Sequence, residues 1–294
     1  MCDEFTEAEN AVWERKAGVN RRDFATIGAG VAAFSLLPGC TTANGAAGPA
    51  TKSRTVTIDT PDGKADAFFV TPAKGKHAAV IMWPDIAGLR DAYKAMGTQL
   101  AEAGFAVLVV NQYYRSSPVP ILNSLMEWRT PPGQEKLKPM IAAITPAGTV
   151  SDAAAFVNWL DKQPEVDTQK KIGSCGYCMG GPFTVRTAFA NPARVGAAAS
   201  FHGGGLVGDA PESPINLLPK TKAAYLIAIA QNDDERAPDE KTKLRAAADT
   251  AARPAEIEVY PAQHGWCTLD APIYDKAQAE KAWGRMLALF AANL

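Results

Sequence analysis

Cys178 stands in Gly176-Tyr177-Cys178-Met179-Gly180-Gly181, a thiol with glycine two residues before it and two after. That spacing suits a sharp reversal between a strand and a helix, where larger side chains at the glycine positions would collide. Such a turn lifts the thiol to the N-terminal end of the helix, and the helix dipole there favours the thiolate. The Met179 N–H is then placed for a developing oxyanion. A thiol nucleophile needs a base, and the chain has 3 histidines. His77 follows Lys74 and Lys76 and reads as a solvated turn residue. His264, in Tyr260-Pro261-Ala262-Gln263-His264-Gly265-Trp266, falls between the last expected strand and the last expected helix. That is where the order nucleophile, acid, histidine puts its base. His202, in Phe201-His202-Gly203-Gly204-Gly205, comes too early and reads as a pocket-lining residue or a partner for loop carbonyls. The acid that orients the imidazole is expected after a strand ending near Ala230, where Asp233 and Asp234 are adjacent. Asp234 is preferred, leaving Asp233 as a turn or capping residue.

The elements around these residues alternate. Strands are expected at 54–59, 65–70, 78–83, 105–110, 171–175, 195–201, 221–230 and 255–260. The runs AAVIMW and FAVLVV are continuously apolar, as in strands buried on both faces. Helices are expected at 91–103, 147–162, 179–190, 238–252 and 276–293, the first of them stopped by Gly104. This alternation predicts an α/β fold, a mostly parallel sheet with helices on both faces. The turn Pro61-Asp62-Gly63 makes the first two strands an antiparallel pair at one edge. Residues 116–145, with Pro118, Pro120, Pro131, Pro132 and Pro139, read as an irregular insertion near the strand ends, with room for a short helix.

Residues 1–50 differ from the rest. Arg21-Arg22 precede an uncharged stretch at 24–37, shorter than the roughly 20 residues a spanning helix needs. The pair and the apolar run resemble a twin-arginine export signal. Leu37-Pro38-Gly39-Cys40 resembles a lipoprotein processing site, with Cys40 as the lipid carrier; cleavage in the small-residue run 41–48 is the alternative. An export leader over 1–50 and a catalytic domain over 51–294 follow, with a periplasmic or exported location expected and a cytoplasmic one as the alternative. The acidic start (Asp3, Glu4, Glu7, Glu9) is unusual for such a leader.

The 294 residues are 47% hydrophobic and 21% charged with a net charge of −1. This is a globular composition, too neutral for nucleic acid to be the main partner. The sparse histidines and the single Cys175-x-x-Cys178 pair do not make a metal site. No dinucleotide fingerprint or phosphate loop is present, so no cofactor is expected. Membrane contact is expected only through a lipid on Cys40.

Residues 51–294 resemble the dienelactone hydrolase family of α/β-hydrolases. The resemblance is carried by the elbow, by Asp234 four residues before Pro238, by Gln263-His264-Gly265-Trp266, and by Pro84-Asp85-Ile86-Ala87-Gly88-Leu89. It implies a Cys–His–Asp ester or lactone hydrolase acting on a small molecule. It further implies that the carboxylate at Asp85, usually a glutamate, interacts with the cysteine, and that the Ile86 N–H is the second oxyanion donor. It matches Arg115 to one of the family's two carboxylate-binding arginines; Thr268 stands where the other would lie. Arg115 is then a selector of anionic esters or a surface ion-pair residue, and Tyr114 and Trp266 are pocket or core aromatics. Two other readings compete. Cys175 and Cys178 have dithiol spacing, which would suit a thiol–disulfide redox protein in an oxidising compartment. A hydrolase fold used only for binding is the other.

Overall fold

The computed structural model of the protein describes residues 4–16 and 50–294. Arg21-Arg22, the run 24–37 and Cys40 lie outside these residues. The domain is built on one sheet of 8 strands in the order β1-β2-β4-β3-β5-β6-β7-β8. The strands are β1 (Thr51–Thr60), β2 (Gly63–Pro72), β3 (Ala79–Trp83), β4 (Ala106–Val110), β5 (Ile172–Tyr177), β6 (Val195–Phe201), β7 (Ala224–Ala230) and β8 (Ala255–Tyr260). Every expected strand is present. β1 pairs antiparallel with β2, and β2 with β4; every other pairing is parallel.

The continuous apolar runs are buried except at Phe105, which is partly buried, because both faces of the sheet are covered. Alternate residues of β3 illustrate the division. Val80 and Met82 join a core with Tyr93, Met96 and Leu100 of the helix Asp91–Glu102 and Met286 and Phe290 of the helix Lys276–Asn293. Ala79, Ile81 and Trp83 face the opposite side, with Phe156 and Leu160 of the helix Pro146–Leu160 and Phe183 of the helix Gly181–Ala190. The last helix begins where the Asp275 carboxylate accepts the Gln278 N–H at 3.0 Å, an N-cap that satisfies one orphan amide.

Short helices at Pro214–Leu217 and Gln231–Arg236 were not expected, and two larger differences bear on the site. The proline-rich insertion is largely helical, with Leu125–Trp128 followed by Pro131–Ala142. Pro131 and Pro132 open the second helix, where the missing amide donors are no loss, and the Thr130 hydroxyl caps it by accepting the Gly133 N–H at 3.2 Å. The prolines therefore start this helix instead of preventing it. At the other end of the chain, the acidic stretch forms a helix at Glu4–Lys16. It lies at the C-terminal ends of β7 and β8, where Asn10 meets the His264 carbonyl and Glu9 meets Arg236.

Candidate active site

The site forms where β5 ends. The chain leaves Tyr177 in extended conformation, passes Cys178 at φ +52° and one tight turn at Cys178–Gly180, and enters the helix Gly181–Ala190. A left-handed conformation at a residue with a side chain is strained, and the surrounding glycines make it attainable. A Cβ at Gly176 would stand 2.1 Å from the Gly180 carbonyl oxygen, and one at Gly180 would stand 2.4 Å from that of Trp83. The elbow thus needs glycine at both positions.

His264 reaches the elbow from the loop after β8. Its Nδ1 bonds the Asp233 carboxylate at 2.7 Å, which leaves Nε2 for Cys178, with which its side chain also hydrogen-bonds. The Asn232 side chain fixes the loop by accepting the His264 N–H at 2.8 Å. Burial works against a charged imidazole. The negative charge of Asp233, and that of Cys178 when ionised, outweigh it and hold His264 up at about 10. Asp233 in turn is held low against its own burial by the charge on His264.

The carboxylate that holds His264 is therefore Asp233, not the preferred Asp234. Asp234 pairs with Lys241 at 2.5 Å. Both aspartates lie on the helix Gln231–Arg236 that follows β7, and neighbouring residues on a helix point in different directions.

His202 lines the same cavity as the thiol, 4.8 Å from His264 between ring centroids. Its Nδ1 accepts the Cys178 N–H at 3.1 Å, so it supports the elbow amide rather than loop carbonyls. Burial keeps its ring below the usual histidine range, so it stays neutral. Trp266 is fully buried beneath it, edge-on to His202 at 5.1 Å and stacked on Tyr260; it supports the pocket floor without lining the cavity.

Asp85 is near Cys178 in the cavity wall, but its carboxylate is turned to Arg90, at 2.7 and 2.9 Å, and to the Ala87 N–H. Arg90 also grips Asp270 at 2.6 and 2.7 Å. Burial raises the Asp85 carboxyl and Arg90 opposes that shift. Asp85 and Cys178 interact through their charges, and the carboxylate is also part of this buried ion triad, which ties the loop after β3 to the loop carrying His264. Among the described residues, the Ile86 and Met179 amides donate to no protein acceptor, as oxyanion donors require. The Ile86 carbonyl is held by the Tyr113 hydroxyl at 2.7 Å.

Tyr114 and Arg115 are not in the cavity. Arg115 pairs with Asp152 at 2.7 Å and with Asp62 at 2.5 Å, while the Tyr114 hydroxyl bonds Asp152 and Thr60. After β4 the chain turns toward the β1–β2 hairpin, and these carboxylates meet it there. The cavity instead holds a residue the sequence reading missed, Arg129 from the insertion. An arginine beside prolines carries no local signal of such a position.

Cys175 is a free thiol fully buried in the core on the Tyr93 side of the sheet, whereas Cys178 belongs to the cluster of Ile86, Tyr113 and Leu125. Burial pushes the Cys175 thiol far above its ordinary range, unlike a redox-active partner.

These elements can be compared with known proteins. A carboxymethylenebutenolidase, so named, of Methylorubrum extorquens is 26% identical over 237 residues, 79% of this chain and 78% of its own. One of Saccharolobus solfataricus, under the same name, is 27% identical over 258 residues, 78% of this chain and 94% of its own. The fold matches the crystal structure described as a dienelactone hydrolase of Klebsiella pneumoniae, at TM-score 0.71 and 24% identity over 82% of this chain and 99% of that one. Residues 65–294 match the sequence model of the dienelactone hydrolase family, and the chain is a hydrolase of that family.

Proposed function

We propose that the protein hydrolyses a carboxylic ester or lactone through a thioester on Cys178. The arrangement that carries this reading is the Asp233–His264–Cys178 relay at a left-handed elbow. The thiolate attacks the carbonyl carbon. The oxyanion that forms takes hydrogen bonds from the Met179 and Ile86 amides. Collapse expels the alkoxide, which takes its proton from the His264 imidazolium, and leaves the thioester. Once the sulfur is acylated its negative charge is gone. One of the causes that raise His264 goes with it, and the neutral ring can take a proton from water. The hydroxide adds to the thioester carbonyl, the C–S bond breaks to release the acid and the Cys178 thiolate, and the proton left on His264 restores the starting ion pair. Asp233 holds Nδ1 throughout and offsets the imidazolium charge. Esters suit a thiolate better than amides do, because their leaving groups need less help.

The same reading places residues 1–50 as an export leader of twin-arginine type, with Cys40 either lipidated or removed by cleavage within 41–48. Fractionation of expressing cells tests it: the expected outcome is a shortened or lipid-labelled chain outside the cytoplasm, and a full-length cytoplasmic chain overturns it. The catalytic reading is tested by profiling the full chain on p-nitrophenyl esters and on lactones against Cys178→Ala. Loss of turnover in the variant is expected; unchanged turnover overturns it.

A further inference from the structure

The helix Glu4–Lys16 takes no part in this chemistry, yet it lies across it. Asn10 Nδ2 donates to the His264 carbonyl at 3.0 Å. Glu14 pairs at 2.9 Å with Arg129 in the cavity wall. Glu9 pairs at 2.6 Å with Arg236, on the helix that carries Asp233, and accepts the Asn232 amide at 3.1 Å. Arg236 also donates to the Thr6 hydroxyl at 3.0 Å. Thr6 and Asn10 are buried by this docking. Asn10 and Glu14 line the cavity together with Cys178 and His264, and the space left there is about 10 Å³, close to a single water molecule. With the helix docked no ester fits beside the thiol, so turnover by the full chain waits on the helix leaving.

The described contacts are polar and gather on the rim of the site. No described residue of the helix belongs to the apolar core clusters, and Val12 and Trp13 are exposed. A segment held in this way can leave without opening the core. Its acidic side chains meet arginines, so the surface and its occupant are matched in charge.

We propose that helix 4–16 is an autoinhibitory cap that closes the catalytic cavity, latched by the Glu14–Arg129 and Glu9–Arg236 pairs. Its docking stands on these contacts, and its effect on turnover rests on the proposed role of Cys178. The cap precedes Arg21-Arg22 and the run 41–48 in sequence. A cut within 41–48 therefore removes the cap with the leader, and processing would switch the enzyme on.

The test compares the full chain with the full-length variant E9Q/E14Q, which removes both ion pairs and keeps the side-chain shapes. Iodoacetamide labelling is followed cysteine by cysteine through peptide mass spectrometry. Labelling reads access to the thiol without requiring any ester to be a substrate. The expected result is roughly tenfold faster labelling of Cys178 in the variant, from the loss of two partly shielded ion pairs, with Cys175 and Cys267 still silent. Equal Cys178 rates in the two chains overturn the proposal. Labelling that spreads to Cys175 and Cys267 also overturns it, because the helix would then hold the fold instead of closing the site. Faster labelling without ester turnover would keep the cap and discard the proposed ester chemistry at Cys178.

Discussion

At the scale of single residues, the site turns on which way adjacent side chains point. Asp233 faces His264 and Asp234 faces Lys241. Asp233→Asn is expected to lower kcat/KM by about 1,000-fold or more, as loss of the orienting acid does in related triads. Asp234→Asn should stay within about threefold, since its ion pair is partly exposed and remote from the chemistry. Steady-state kinetics on one ester distinguishes the two. Asp233 also sets a pH dependence of stability. The folded state raises His264 to about 10 from an ordinary value of 6.5. Its stabilising contribution is therefore complete below pH 6.5 and is lost as pH rises through about 10. Thermal melts across that window should show Asp233→Asn less stable than the parent at pH 6, with the gap closing above pH 10; a constant gap contradicts the assignment. The elbow was legible in the sequence because its glycines answer a backbone demand that leaves a fixed spacing. The choice between neighbouring aspartates was not, because it depends on the rotation of a short helix. Arg115 failed for a similar reason: nothing local announces that Asp62 and Asp152 arrive from elsewhere to claim it.

At the scale of elements, the active site is a meeting of loops after β3, β5, β6, β7 and β8. The strands and most helices were readable because burial on both faces leaves continuous apolar runs, and burial on one side of a helix leaves a stripe. The insertion was misread because proline breaks a helix interior but begins a helix well. What locks the loops is the buried triad Asp85–Arg90–Asp270, in which Arg90 is 1% exposed. Arg90→Met leaves a fully buried carboxylate without its partner, and a loss of roughly 3–5 kcal/mol is expected. Urea unfolding measures it. A loss under about 1 kcal/mol would mean that the triad does not brace the site. The same substitution should lower ester turnover even in the folded protein, because Ile86 lies in the loop that Arg90 holds.

At the scale of the molecule, a hydrolase domain carries its own cover. The acidic start that looked out of place in an export leader has a physical use, since Glu9 and Glu14 meet Arg236 and Arg129. No periodicity in 13 residues could reveal that, because the pairing crosses more than 100 residues of chain. The full-length chain is expected to hydrolyse p-nitrophenyl acetate more slowly than the same chain after cleavage within 41–48, with kcat/KM differing by about tenfold or more if both latches close the site. Kinetics before and after processing reads the ratio, and equal rates contradict the coupling of processing to activity.

The chemistry turns on Cys178 as the carrier of the acyl group. His264→Ala in the E9Q/E14Q chain should still acylate but deacylate slowly, so acid quenching after exposure to p-nitrophenyl acetate should trap the intermediate. Peptide mass spectrometry is predicted to find one added acetyl group on the peptide containing Cys178, lost on treatment with hydroxylamine. A persistent acetyl on another residue, or full ester turnover by the Cys178→Ala chain, would show that the acyl group is carried elsewhere.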